Sequence, residues 1–430
     1  MGNDIRGMVR LANDVAHSHS SFFTDLKSHK LSNQESFLLL RVCATPKLGY
    51  LLRCARPEVT TQAAERFDSM VMDAFCARAH IDPGISEAQV NQIRMPLRLG
   101  GFGLTANAPK AAICWFAAQS QAAHQLVEYG IEKTSQRMRA SVDAIVAIRE
   151  VCGEKAFHLL PPDDFKGDVQ WSCSQPKRLQ QQLTATMNDH NVANAISTSA
   201  RTSDPHTHRS LLARMYAAKA PKASSWLRII PSFGALRLSD DCFRVAVRLR
   251  LGLPPTDHAD DQCGLCHSDM QLDPWHHLNC LNLRSQSHTQ RHDRVVKRIA
   301  QWCHRLGLSA RIEPRTEDER QRPDLSIVAG TKRYLVDVTV VNPLAPSNLA
   351  VASSAPLATA EKAAKLKLTK YADLAKRSRA TFVPFAVETT GGFCKAAVQF
   401  VKDVTSAASK LHFSWCPSEE VRGLLPSIAA

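Results

Sequence analysis

A single acidic residue inside a β-branched run constrains this chain more than any other feature. Tyr334-Leu335-Val336-Asp337-Val338-Thr339-Val340-Val341 reads as a strand, because β-branched and aromatic side chains fit a pleated, half-buried surface. An Asp in the middle of such a run is costly to bury unless its charge is compensated. The segment therefore demands both a sheet and a partner for Asp337. A second strand, Asp324-Leu325-Ser326-Ile327-Val328, lies just upstream, with Ala329-Gly330-Thr331-Lys332 as the turn between them. A hairpin of this kind brings Asp324 and Asp337 together, one from each strand. Pro356 to Ser378 then reads as a Lys-rich helix with Pro356 at its start, Thr381 to Val387 as a third strand, and Phe393 to Leu411 as a last helix. Strand, strand, helix, strand, helix is an α/β layered core.

Upstream of residue 301 the apolar spacing is helical, so the expected class is α+β and multidomain. A helical N-terminal half precedes a small metal knuckle and a C-terminal α/β core with a mixed sheet. Boundaries are expected near 1–105, 106–222, 223–300 and 301–415, with a tail over 416–430. Residues 15–80 alternate apolar helical runs with polar patches, and Pro46 to Gly49 is a turn between two of them. Met95 to Leu104 is glycine-dense but lacks the spacing of a phosphate cradle, so its glycines are expected to permit a tight backbone path. Residues 108–150 are Ala-rich and helical. The stretch 160–220 is polar, and its first and last parts read as linkers. Asp240-Asp241 is expected to cap a helix running through Phe243 and Leu249.

The knuckle rests on Cys263-Gly264-Leu265-Cys266, followed by His276 and Cys280. A Cys-x2-Cys turn lets two thiolates bind one ion, and four ligands close a tetrahedral structural zinc site. Cys263, Cys266, His276 and Cys280 are the expected set, with His277 the competitor for the histidine position. Gly264 is expected to ease the turn. A redox reading of the two cysteines lacks a βαβ context.

Arg322-Pro323-Asp324 and Asp337 point to a second metal. Two carboxylates on adjacent strands can hold a hard divalent ion, Mg²⁺ or Mn²⁺, which would polarise a phosphate and acidify an attacking water. Position 339 is Thr, so a lysine would have to come from the following helix, which offers Lys362, Lys365, Lys367 and Lys370. Lys367 lies four residues before Tyr371 on one face. Tyr371-Ala372-Asp373-Leu374 lacks the second Asp of a polymerase box.

Lys and Arg number 54 against 40 Asp and Glu, a net charge of +14, which points to a polyanionic partner. Arg244 and Arg248 share a helical face beside the knuckle and are expected to meet phosphates, as are Arg291, His292 and Arg322. The 13 cysteines are scattered and odd in number, with no apolar leader at Met1 to Arg6 and no apolar run of membrane-spanning length. A reducing intracellular location, the nucleus for a DNA-acting protein, and no membrane partner are the expectations.

Taken together, these segments resemble the C-terminal part of non-LTR retrotransposon proteins that carry a restriction-like endonuclease. The matching residues are Cys263, Cys266, His276 and Cys280; Arg291-His292-Asp293; Arg322-Pro323-Asp324; Val336 to Val340; Lys367 and Tyr371; and Glu388-Thr389-Thr390-Gly391-Gly392-Phe393. Arg248 to Pro254 and Pro96 to Leu104 are also similar to segments of that family. The resemblance implies a restriction-like endonuclease fold over 301–415 and a polymerase thumb remnant over 1–105, the chain starting after the palm and so reading as a truncated copy. It also implies nicking of target DNA, with metal on Asp324 and Asp337 and assistance from Lys367 and Tyr371. The knuckle would help place target DNA or element RNA. The alternative is a catalytically inert, zinc-containing nucleic-acid-binding fragment.

Overall fold

The computed structural model describes residues 5–28, 30–131, 141–162, 178–232, 234–255, 262–270, 273, 275–283, 288–314 and 322–411. The chain divides into two compact units. One comprises Met1–Pro96 with Gly101–Thr202, and the other Leu97–Gly100 with Ser203–Ala430.

The described part of the first unit is helical: α1 (Ile5–His17), α2 (Ser20–Lys27), α3 (Asn33–Leu39), α4 (Gly49–Cys54), α5 (Pro57–Ala79), α6 (Glu87–Arg94), α7 (Ala111–Glu128), α8 (Val142–Cys152) and α9 (Leu179–Thr202). Pro57 opens α5, where its missing N–H is harmless, and α1 and α2 pack along it. Phe67 and Phe75 of α5 meet Phe23, Phe37 and Phe102 in tilted and edge-to-face contacts. Asp68 is buried there and accepts from the Asn107 and Ala108 backbone N–H groups. The glycine-dense loop behaves as expected at Gly101, where a Cβ would lie 2.0 Å from the Met95 carbonyl oxygen. A second core joins α7, α8 and α9 through Trp115, Phe116, Ile148, Leu183 and Met187.

The second unit holds α10 (Pro205–Lys219), α11 (Asp240–Arg250), α12 (Thr289–Arg305), α13 (Leu349–Ala352), α14 (Ala358–Arg377) and α15 (Lys395–Leu411), with β1 (Ser309–Ile312), β2 (Leu325–Ala329), β3 (Lys332–Val341) and β4 (Thr381–Glu388). The sheet is mixed, in the order β1-β2-β3-β4. The first two pairings are antiparallel, and β3 runs parallel to β4. The architecture is thus α+β with a small mixed sheet. Tyr334, Val336 and Val338 face a core shared with α12 and α15. Leu335 points the other way, against Tyr371 and Leu374 of α14. Burial on both faces explains why β3 reads as an almost continuous apolar run.

Several local expectations need correction. The last part of 160–220 is no linker, because Asp204 caps α10 by accepting from His206 and Thr207, and Pro205 opens it. The first part of that stretch, 163–177, lies outside the described residues. Ser239, not the aspartates after it, caps α11 by accepting from Cys242 N–H; Asp240 and Asp241 sit in its first turn, where they suit the helix dipole. β1 is an additional strand, too short and too exposed to announce itself. Pro356 does not open α14. The cap residue is Leu357, in the left-handed region at φ 64° and with no capping side chain.

Glu388, at the end of β4, serves α14 instead by accepting from Ala360 N–H. It is 3 % exposed, and its Oε2 has no hydrogen-bond partner. Burial pushes its carboxyl up to about 7, against the opposing pull of Ala360 N–H and the Thr390 hydroxyl. An acid raised in this way favours folding fully below its usual value of 4.5, and that contribution disappears as the pH rises through about 7. Stability measured by urea unfolding should therefore fall by roughly 2–3 kcal/mol between about pH 4.5 and pH 8 on account of this group. Glu388→Gln, which keeps the acceptor without the charge, should remove that part of the slope and be the more stable form at about pH 8.

Candidate metal centre and carboxylate site

The knuckle is built by short local contacts. Cys263 N–H donates to the Ser268 carbonyl at 2.8 Å, and His267 N–H returns to the Cys263 carbonyl at 2.8 Å. The left-handed residue of this turn is His267, at φ 58°. Gly264 has no positive φ and open space where a Cβ would stand, so the turn does not depend on it. A single 3-10 turn, His276–Leu278, then brings the second pair of ligands up to the first.

Cys263, Cys266, His276 and Cys280 each offer one ligand atom, and these atoms all lie within 4.8 Å of one another. The Cys263–Cys280 and Cys266–Cys280 sulfur separations are 3.9 and 3.8 Å. Zinc–sulfur bonds of ~2.3 Å at a tetrahedral angle set an edge of about 3.8 Å, so the spacing suits that ion. Cys266 Sγ and His276 Nε2 are closer, at 2.9 Å, than the ~3.6 Å edge of a filled site. Bonds from the Ser268 hydroxyl and N–H draw the Cys266 thiol down to about 6, which favours the thiolate a metal requires. The cluster could hold a metal ion such as zinc, and His276, not His277, supplies its nitrogen.

The second site grows out of the strand register. Leu325 pairs with Val336 in the antiparallel ladder, and one further step sets Asp324 opposite Asp337. Opposed residues of an antiparallel pair project to the same face. That face is the one covered by α14 at Leu335, Tyr371 and Leu374. Asp337 is 3 % exposed, and Lys367 Nζ stands 2.7 Å from its Oδ2. Tyr371 is buried, stacks on Phe382 at 4.7 Å, and donates its hydroxyl to the Arg322 carbonyl at 3.2 Å. Burial raises the Tyr371 phenol well above its ordinary value, reinforced by the neighbouring negative charges of Asp337 and Asp324. The hydroxyl thus marks where Asp324, Asp337 and the Arg322 carbonyl converge.

Asp324 is held differently. Its Oδ2 accepts from Val338 N–H at 2.6 Å and faces His292 Nε2 at 3.1 Å. The other ring nitrogen of His292 faces Asp293 Oδ1 at 3.1 Å. With a carboxylate at each nitrogen, His292 is pushed up to about 9, the Asp324 bond being the largest cause and burial opposing it.

The residues expected to meet phosphates are dispersed. Arg248 is buried and donates Nε to the Pro254 carbonyl at 2.7 Å. Its neighbour Arg250 is also buried, donating to the Ala218 carbonyl and the Ser224 hydroxyl. These guanidiniums cross-link the chain internally, so the expected basic face on α11 is not available. Arg244 is paired with Asp241, and Arg322 with Glu313 at 2.8 Å. Arg291 donates to the Leu278 carbonyl at 3.1 Å. His292 belongs to the carboxylate site, a role the sequence could not signal because thirty-two residues separate it from Asp324. Exposed cations on α14, the helix that carries Lys367, are Lys362, Lys365, Lys370, Lys376 and Arg377.

Neither models of known protein families nor curated proteins give a match to this chain.

Protein purified without chelator should carry one zinc per chain, measured by elemental analysis. Cys263→Ser and Cys280→Ser should each lower zinc affinity by more than the roughly 10–100-fold typical of losing an outer-shell contact. His277→Ala should leave zinc bound. Zinc retained in both cysteine variants would remove the assignment.

Proposed function

We propose that this chain is a metal-dependent endonuclease that nicks DNA through Asp324 and Asp337. The observation that carries the reading is the convergence of two carboxylates, a lysine and a tyrosine on one covered face of a sheet, where Asp337 is almost wholly buried. A buried carboxylate beside an ammonium is expensive as decoration, since removing one partner of such a pair leaves an uncompensated charge. Asp324 and Asp337 would hold a divalent cation, whose chemistry when bound is to polarise the scissile phosphate and acidify the attacking water. Lys367, already at Asp337, would offset the negative charge that develops on the phosphate oxygens. Tyr371 ties the Arg322 carbonyl to α14 and so holds Asp324 at its place before β2.

DNA is the favoured substrate because the exposed face of α14 is basic. At 100° per residue, Lys362, Lys365, Lys370, Lys376 and Arg377 share one side of the helix, and Lys367 lies next to that side, over the site. The same resemblance to retrotransposon endonucleases that the motifs carry supports this choice. A catalytically inert, zinc-containing nucleic-acid-binding protein is the competing reading. It draws on the ion pairs His292–Asp324 and Lys367–Asp337, which balance both carboxylates without a metal.

Incubation with supercoiled plasmid and Mg²⁺ or Mn²⁺ separates the two. Nicking that needs the cation and drops by at least ~10²-fold in Asp324→Asn and Asp337→Asn, with DNA binding retained, is expected. Lys367→Ala should reduce the rate less, because Lys370 lies one turn on, on the adjoining side of the helix. DNA bound but never nicked under either cation would establish the inert reading. Binding itself should weaken steeply with added salt, and the charge reversals Lys362→Glu and Lys365→Glu should make that salt dependence shallower.

A further inference from the structure

The first turn of α12 touches the metal cluster and the carboxylate site at once. Arg291 Nη2 donates to the carbonyl of Leu278, which lies between the ligand residues His276 and Cys280. The next residue, His292, sets its Nε2 3.1 Å from Asp324 Oδ2. Successive helical residues point about 100° apart, so one turn presents one side chain to each site. This turn has little holding it from within. Its cap residue, His288, makes no capping side-chain bond, and no acidic residue occupies the first turn. Such an end frays unless it is tied from outside, and a cation there opposes the helix dipole.

Two further ties join the same few knuckle residues to the sheet. Asn279 Oδ1 accepts from Asn342 Nδ2 at 2.8 Å, and Asn342 directly follows β3. Asn342 Oδ1 in turn accepts from Leu344 N–H and the Thr389 hydroxyl. Trp275, next to His276, packs with Leu249, Leu344 and Leu349. Residues 275, 278 and 279 therefore alternate with or flank the ligands and reach the first turn of α12 and the segment that follows β3.

We infer that the metal knuckle is a positioning element of the carboxylate site, with Arg291 as the positioning residue between them. Metal at Cys263, Cys266, His276 and Cys280 fixes the turn 276–280. The Leu278 carbonyl then fixes Arg291, and Arg291 holds the first turn of α12 so that His292 meets Asp324. The inference deepens the nuclease reading in its consequence for cleavage, but the physical link stands apart from it.

Amide hydrogen exchange on the full chain, zinc-loaded and after mild chelation, tests the link without any activity. In the wild type, chelation should speed exchange by at least ~10-fold at the amides of 293–296, which donate to the first-turn carbonyls, as well as within 262–283, while β3 and β4 stay protected. Arg291→Ala should keep its zinc yet exchange fast at 293–296 even when loaded, with little further change on chelation. If the alanine variant does not fold, Arg291→Lys should show the same pattern in weaker form. Continued protection of 293–296 after chelation, or wild-type protection in the zinc-loaded variant, would overturn the inference. In the plasmid assay Arg291→Ala should lower kcat and leave KM for DNA unchanged. A wild type that shows the exchange link but never nicks would refute the nuclease reading and leave this one intact. Nicking with no exchange link would do the reverse.

Discussion

The arrangement of the second unit depends on the cost of keeping Asp337 charged inside a sheet covered on both sides. An unpaired carboxylate in that position would cost several kcal/mol, comparable with much of a domain's net stability. The compensation comes from elsewhere in the chain. Lys367 reaches in from α14, and Tyr371 of the same helix lies close to both aspartates. Holding the lysine there requires α14 to lie flat on the Leu335 face, and Tyr371 stacked on Phe382 provides that packing. The end of β4 contributes as well, because Glu388 supplies the acceptor that the start of α14 otherwise lacks. The site and its supporting helix are thus stabilised by the same contacts.

The chain's basic surplus has two fates. Arg248 and Arg250 are spent inside the fold, where their guanidiniums satisfy backbone carbonyls that would otherwise be buried without donors. Arg291 has a similar role in linking α12 to the knuckle. Apart from Lys367, the lysines of α14 are exposed, as suits a long apolar stem that carries its charge into water. Net charge alone does not distinguish these groups. A guanidinium with five donors suits internal cross-linking of carbonyls, whereas a lysine ammonium is a compact charge better left in water.

Much of the second unit was legible in the sequence. The β-branched run around Asp337, the turn at Gly330 and the Lys-rich helical stretch predict β2, β3 and α14, and the strand order places Asp324 beside Asp337. The cysteine spacing predicts the four-ligand cluster, because two thiolates in a Cys-x2-Cys turn need only one more pair brought near. These features are local, so they are encoded in short stretches of chain. What the sequence left open was decided by contacts between distant segments. Helical spacing puts Arg244 and Arg248 on one face but cannot say that neighbouring segments bury Arg248. His292 meets Asp324 only because the first turn of α12 starts beside the open end of the hairpin. The choice of His276 over His277 depends on the 3-10 turn that follows Trp275, and the acceptor at the start of α14 comes from the end of β4, nearly thirty residues further along the chain. Periodicity and ligand spacing are properties of the chain, whereas burial, pairing and charge compensation exist only once distant segments have packed.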